Sequence, residues 1–460
     1  MAGDPAHAAT VAALHAQLVG AVKTGLIKPV STTMPNTATS RVLSHDVLAL
    51  RSTPVQGGVI SPVQGPVRPD ATVATTVAAT VAASDAAVPL TPLTVFEANS
   101  NGFPCMRIPS ALALPNNTLL VFAECRRWAG DGCFVKGWPN ASRQVESLRS
   151  ICQRRSVDGG ATFGALFPNI TNHYSANPSA VWDHARERVL LTFDDTKNGG
   201  LYSMASHDLG LTWDEPSQLV DTDGTKLAGV AGPGNSIVVT SNGDLLLAVY
   251  HADRAWTDMF SFANVLRSQD GGASWVDMSP LAPAGSRAAR MFAHLGEPSL
   301  AVLSSGQLVL DSRCPDGRKP YPGPAAPCNC DCRGVSVSND GGTSWSQTTF
   351  DASVADPDSQ GAVLGLANGS IAFSNPNCRS GTRRNQAVRV GSLADSNATV
   401  VEWADSYVRV GATPETPGGY SSIFQFQGND GRIGVLWETE GEGQHARGCH
   451  GICSIVLSFV

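Results

Sequence analysis

The sequence predicts an all-β chain. It reads as a six-bladed β-propeller of four-stranded antiparallel blades over residues 93–460, preceded by a low-complexity, disordered leader or stalk over 1–92. Three observations lead there. With 46 Gly and 29 Pro in 460 residues, a turn-former stands at about every sixth position, which favours short strands over long helices. An eight-residue pattern, Ser-x-Asp-x-Gly-x-(Ser/Thr)-(Trp/Phe), occurs four times, at 156–163, 206–213, 268–275 and 338–345. Finally, a turn followed by an apolar strand recurs six times, beginning at residues 116, 187, 242, 305, 368 and 430. That spacing suits one four-stranded blade per repeat.

The leader comes first in the chain. None of the 30 aromatic residues precedes Phe96 and none of the 11 cysteines precedes Cys105. Residues 71–90 hold Ala, Val or Thr at 16 of 20 positions, so nothing large is present to fill a core. As a membrane span this stretch is short, small in side chain and interrupted by Asp85. No basic segment followed by a Leu-rich run marks a signal peptide.

The eight-residue repeat has the chemistry of a tight hairpin. The Asp side chain accepts backbone N–H groups, Gly takes the left-handed dihedral and the aromatic packs beneath. Asp158, Asp208, Asp270 and Asp340 are therefore structural, and they are expected on the rim, away from the axis. The six apolar strands run into polar residues: Glu124, Asp194, Tyr250, Arg313, Asn375 and Glu438. Equivalent strands would open those ends on one face around the axis, where a propeller carries its site.

A net charge of -7 excludes a nucleic-acid-binding surface, so an anionic ligand must be held by a local cluster. Cys328, Cys330 and Cys332 in a Pro-rich loop point to disulfides and an oxidising compartment. A zinc site wants Cys-x2-4-Cys pairs together with further ligands at matching spacing, and that combination is absent, so no metal or cofactor is expected. Five Asn-x-Ser/Thr sequons, at Asn116, Asn140, Asn169, Asn368 and Asn397, agree with secretion. The expected address is the secretory pathway, lysosomal or extracellular, with the cytoplasm as the alternative.

Met106-Arg107-Ile108-Pro109 ahead of four such repeats resembles the sialidase (neuraminidase) superfamily, in which an Arg-Ile-Pro motif precedes Asp boxes. The resemblance covers 93–460. It implies three arginines that grip a sugar carboxylate: Arg107 in the motif, Arg313 closing LVLDSR, and Arg383 in an Arg-x-Asn pattern. Arg384 is the neighbouring alternative for the third, and Arg379 a more distant one. Arginine suits this task because its planar guanidinium pairs bidentately with a carboxylate, which lysine does not.

The resemblance also assigns the reaction. A carboxylate nucleophile would be repelled by the substrate's own carboxylate, and sialidases use tyrosine instead. Tyr420, in GGYSS, matches that tyrosine, and Glu297, in HLGEPS, matches its base. The arginines beside them are expected to favour the ionised phenol. Asp131, in a Gly-flanked loop, matches the acid/base. Glu438 resembles the glutamate that orients the first arginine, and Arg126 the arginine that reaches a sugar substituent. Tyr250 is a further candidate contact on the glycerol or acyl side. Trp128 and Trp138 are candidates for an apolar wall, and Trp256 joins them as an acceptor platform.

The implied activity is exo-α-sialidase: retaining hydrolysis of terminal sialic acids from glycoproteins, gangliosides or oligosaccharides. The implied partner is a sialylated glycan, with membrane association only through a glycolipid substrate and no nucleic acid. A trans-sialidase and a non-catalytic glycan-binding propeller are the alternatives.

Overall fold

A computed structural model describes residues 92–128, 149–171, 174–252, 261–278, 295–314, 332–379, 383–426, 432–440 and 453–460. Six antiparallel sheets succeed one another along the chain as propeller blades. Blade one is Cys105–Ala113, Leu119–Arg126 and Arg149–Ser156, with Phe167 bridging Gln153 at the fourth-strand position. Blade two is Ser175–Asp183, Arg188–Asp195, Leu201–Ser206 and Ser217–Gln218. Blade three is Ile237–Val239, Leu245–Ala252, Ser261–Ser268 and Val276–Asp277, and Val230–Ala231 also pairs with its second strand. Blade four is Gly296–Val302, Leu308–Arg313, Cys332–Ser338 and Thr349–Ala355. Blade five is Ala362–Gly365, Ile371–Pro376, Gln386–Ser392 and Glu402–Arg409. Blade six is Ser421–Gln425, Ile433–Glu440 and Cys453–Phe459, completed by Leu93–Phe96 from the other end of the chain. That pairing closes the ring.

The six apolar strands read from the sequence are the second strands of the six blades. They are apolar on both faces because each blade is covered by its neighbours. Leu119, Leu120, Val121, Phe122 and Ala123 are all fully buried, as are Leu245, Leu246, Leu247, Ala248 and Val249. An apolar cluster fills each junction between adjacent blades, from Leu120, Phe122, Val189 and Leu191 between one and two to Phe96, Met106, Phe424 and Leu436 between six and one. Each fully buried Leu or Phe adds about 1.5–3 kcal/mol, so closure distributes stability around the whole ring.

The eight-residue boxes begin at the last residue of a third strand, in blades one to four. Ser156, Ser206, Ser268 and Ser338 stand opposite or beside the first residues of the second strands: Leu119, Val189, Leu245 and Leu308. The second strands end at Arg126, Asp195, Ala252 and Arg313, so the boxes lie at the opposite end of the blades from those polar termini. In each box the Asp accepts the serine hydroxyl and a backbone N–H four residues on, as in Ser268 Oγ to Asp270 at 2.7 Å and Ser274 N to Asp270 at 2.9 Å. These bonds hold Asp158 and Asp270 at a pKa of about 2.

The axis is filled from blade three. Gly234 carbonyl accepts the hydroxyls of Ser110 (3.3 Å) and Ser179 (2.6 Å), and Asn235 carbonyl that of Ser299 (2.9 Å). The Asn235 amide accepts from Ser422 Oγ (2.8 Å) and donates to Ile423 O (2.8 Å), and Gln360 Nε2 reaches Pro233 O (3.4 Å). Blades one, two, four, five and six thus all bond to one short turn. At Gly234, φ is 75°, and an added Cβ would sit 3.1 Å from both Gln360 Nε2 and Ser421 O. Only glycine meets both demands.

Candidate active site

The polar ends of the second strands meet around Tyr420, which is 6% exposed at the entrance to blade six. Its hydroxyl donates to Glu297 Oε1 and accepts from Arg313 Nη1 at 3.0 Å. The guanidinium carbons of Arg107 and Arg383 lie 5.0 and 5.2 Å from the centre of its ring. Three arginines from blades one, four and five therefore converge on one phenol. Arg384, the alternative third arginine, instead pairs with the exposed Glu415.

Carboxylates pair with Arg107 and Arg313. Glu438 is fully buried and accepts from Arg107 Nε (3.0 Å), Arg107 Nη2 (3.3 Å), Ile108 N (2.9 Å) and Tyr420 N (3.1 Å). Gly419 makes that approach feasible, since a Cβ there would stand 2.4 Å from Glu438 Oε2. Arg313 Nη1 also donates to Glu297 Oε2 at 2.5 Å, and Arg313 Nε donates to Asp358 Oδ1 at 2.8 Å.

Burial alone would raise the Glu297 carboxyl, but Arg313, the hydrogen bonds from Arg313 and Tyr420, and Arg383 outweigh it and hold its pKa below the usual value. The phenol differs from the sequence expectation. Burial first, and then the negative charge of Glu297, push the Tyr420 pKa up, and the three arginines offset this only in part. The resting pair is therefore neutral tyrosine hydrogen-bonded to ionised glutamate.

A local device presents these side chains. Ile108, Asn177 and Glu297 each have positive φ (57°, 53° and 41°), and each precedes Pro-Ser on the first strand of a blade. The strand register breaks at each of them: between Arg107 and Ser110, Ala176 and Ser179, and Gly296 and Ser299. Such a bulge changes the direction of the side chains around it, and the serine that follows anchors the strand on Gly234 or Asn235.

The BNR repeat-like domain matches residues 168–435. The chain belongs to the BNR repeat-like family. The fold of this family member is that of the sialidases. Similar solved structures include a Hadza microbial sialidase, at 18% identity and a TM-score of 0.57 over 80% of this chain and 68% of that one. The NanB sialidase from Streptococcus pneumoniae gives 14% and 0.58 over 80% and 70%. An intramolecular trans-sialidase from Ruminococcus gnavus gives 16% and 0.57 over 80% and 97%.

Beside the Tyr420 cluster this BNR-repeat propeller carries a second one, across blades one and two. Glu124 accepts from Arg126 Nε (2.8 Å), Arg149 Nη1 (3.4 Å) and Asn177 N (2.9 Å), and Asn177 Nδ2 donates to Asp194 at 2.9 Å. Burial would raise Glu124, yet Arg126 and Arg149 bring it below its usual value. Burial raises Asp194 to about 7; the bond from Asn177 and the charge of Arg149 oppose this, while Glu124 reinforces it. Arg126 is buried, paired to Glu124 and 5.0 Å from the Trp128 ring. Trp128 is itself 1% exposed, so it is a packed side chain and not a surface platform. Tyr250 is half-buried, and its pKa is pushed well up by burial and by the charges of Glu297 and Tyr420.

Asp131, Trp138, Trp256, Asn140, Cys328 and Cys330 lie outside the described residues. Asn177 and Asp358 were missed in the sequence, and Glu124 and Asp194 were noted there only as strand ends. The repeat of x-Pro-Ser at 108–110, 177–179 and 297–299 was the available signal for Asn177. Cys125 and Cys152 form a disulfide between the second and third strands of blade one, and Cys105, Cys314 and Cys332 are also disulfide-bonded. Asn116, Asn169, Asn368 and Asn397 are all exposed.

Proposed function

We propose that the chain is an exo-α-sialidase that releases terminal sialic acids from glycoproteins, gangliosides or oligosaccharides with retention of configuration. The observation that carries this reading is the Tyr420 hydroxyl, bonded to Glu297 and Arg313 with Arg107 and Arg383 over its ring. Arg107, Arg313 and Arg383 hold the sugar carboxylate. As the phenol oxygen bonds to the anomeric carbon, its proton passes to Glu297 and the glycosidic C–O bond breaks. Asp131, flanked in sequence by Gly130 and Gly132, protonates the departing oxygen and then activates the water that cleaves the tyrosyl–sugar bond.

A neutral resting phenol suits this order of events, because the nucleophile is generated only when the carbon is in place. Glu438 positions Arg107, while Arg126 and Tyr250 face the sugar's substituents. The disulfides and exposed sequons support a secretory, lysosomal or extracellular setting.

A fluorogenic α-sialoside, assayed from pH 4 to 8 with and without lactose, tests the reading. Turnover that falls at least about 1,000-fold in Tyr420→Phe, with the fold retained, is expected for a covalent nucleophile. Sialyl-lactose or an anhydro sugar as the main product would assign transfer instead. A wild-type protein that turns nothing over would assign the non-catalytic propeller.

A further inference from the structure

We propose that Asp358 is an internal anion that occupies the carboxylate seat of Arg313 and must swing aside for an acidic sugar to bind. The inference rests on the carboxylate-binding reading above and adds a specificity-determining residue to that site. Arg313 has five N–H donors. Nε donates to Asp358 Oδ1 at 2.8 Å and Nη2 donates to the same oxygen, while Nη1 serves Glu297 at 2.5 Å and Tyr420 at 3.0 Å. Among the described residues, a single N–H on Nη2 remains uncommitted. A bidentate guanidinium–carboxylate pair needs two parallel N–H groups. An incoming carboxylate therefore pairs fully with Arg313 only after Asp358 leaves.

The surrounding contacts confine that departure to the side chain. Asp356, two residues earlier, is buried and accepts from Cys314 N (2.9 Å), Arg333 Nη1 (3.2 Å) and Ser359 N (3.1 Å). Arg333 Nη1 also holds Ser359 O at 2.6 Å, and the Asp358 carbonyl accepts Arg383 Nη2 at 2.5 Å. The backbone of the turn is pinned on both sides. The Asp358 side chain, by contrast, is 41% exposed and can rotate into water. Charge supports the exchange. Arg107, Arg313 and Arg383 face Glu297, Glu438 and Asp358, a balanced set that a fourth carboxylate would overload unless one withdrew.

Asp358 has φ of 60°, a conformation that asparagine and glycine adopt readily, so Asp358→Asn and Asp358→Gly should both fold. Free N-acetylneuraminic acid and its methyl ester are titrated calorimetrically into each protein, and KM and kcat are measured with the fluorogenic sialoside. The expected result is that both variants bind the free acid about tenfold more tightly, because glycine vacates the seat and asparagine fills it without a competing charge. The neutral ester should bind all three proteins alike, and KM should fall with the acid's dissociation constant. If the variants bind the acid as the wild type does, or more weakly, Asp358 merely positions Arg313 and the proposal is overturned. Tighter binding without turnover by any of the proteins would sustain the gate while refuting hydrolysis. Turnover by the wild type with an unchanged KM in the variants would do the reverse. No binding of the acid by any of them would remove both.

Discussion

Replacing Asp194 by asparagine should change how the protein's stability responds to pH. The Asp194 carboxyl is moved by burial from an ordinary 3.8 to about 7, so the folded protein keeps this proton where the unfolded chain has released it. Stability must then fall as pH rises from about 4 to about 7, and remain low above that window. At about 1.36 kcal/mol per pH unit, the full loss is on the order of 4 kcal/mol. With an unfolding entropy of ~2.1 cal/mol/K per residue over roughly 370 residues, that corresponds to about 5 °C in melting temperature. Asparagine copies the protonated acid in shape and still accepts from Asn177, so the two proteins should melt together only near pH 3, below both pKa values, with a gap of about 2 °C already open at pH 5. Near pH 8 the variant should melt about 5 °C higher. Differential scanning calorimetry at half-unit steps measures the gap, in which the other titrating groups cancel. A gap that stays constant between pH 5 and 8 would show that Asp194 is ionised throughout and that burial does not control it.

Gly419→Ala places a methyl 2.4 Å from Glu438 Oε2, which must move Glu438 or Tyr420; overpacking of this kind costs about 1–3 kcal/mol. The melting temperature should drop, and kcat/KM on the fluorogenic sialoside should fall about tenfold or more; wild-type kinetics would show that the contact yields. Asp270→Ala removes the partner of Ser268, Ser274 N and Ser274 Oγ at the opposite end of blade three. It should lower the melting temperature and leave KM alone. Because the Asp270 pKa is lowered to about 2, this stabilisation is present above about pH 4 and lost as pH falls toward 2, so the gap between variant and wild type should close on acidification. A KM change would show that the boxes communicate with the site.

How much of this was legible before the fold was known depended on what repeats. The second strands repeat because every blade is buried on both faces, and the boxes repeat because four third strands end in the same turn. Both are local requirements, and they appear as patterns in the chain. Tyr420 meets Glu297 and Arg313 only because blades four and six both border the axis, over 107 or more residues of sequence. Their association was read through resemblance and not through spacing. Asp358 looks like an ordinary turn residue between Pro357 and Ser359, and nothing in Asp-Pro-Asp-Ser announces an ion pair with Arg313. The Tyr420 phenol shows the opposite failure. Its charged neighbours stand in the sequence, but the sign of their combined effect depends on burial, which a sequence does not display.

Strain at Ile108 ties the fold to the site. A β-branched residue at φ of 57° is unfavourable, on the order of 1–3 kcal/mol, and persists only where its surroundings impose it. Here the imposition comes from both sides. Pro109 follows, Ser110 is tied to Gly234 O, and the Ile108 N–H is held by the same Glu438 oxygen that accepts Arg107 Nε. The backbone that puts Arg107 over Tyr420 is therefore kept in an unfavourable shape by a carboxylate that also needs Arg107 to neutralise it. Each half supports the other: relaxing Ile108 would withdraw one donor from buried Glu438, and losing Glu438 would remove the carboxylate that Arg107 reaches through Nε and Nη2. Burying a charge alone costs several kcal/mol, more than the strain, and that inequality keeps the axial end of the propeller polar and pre-arranged in the absence of ligand.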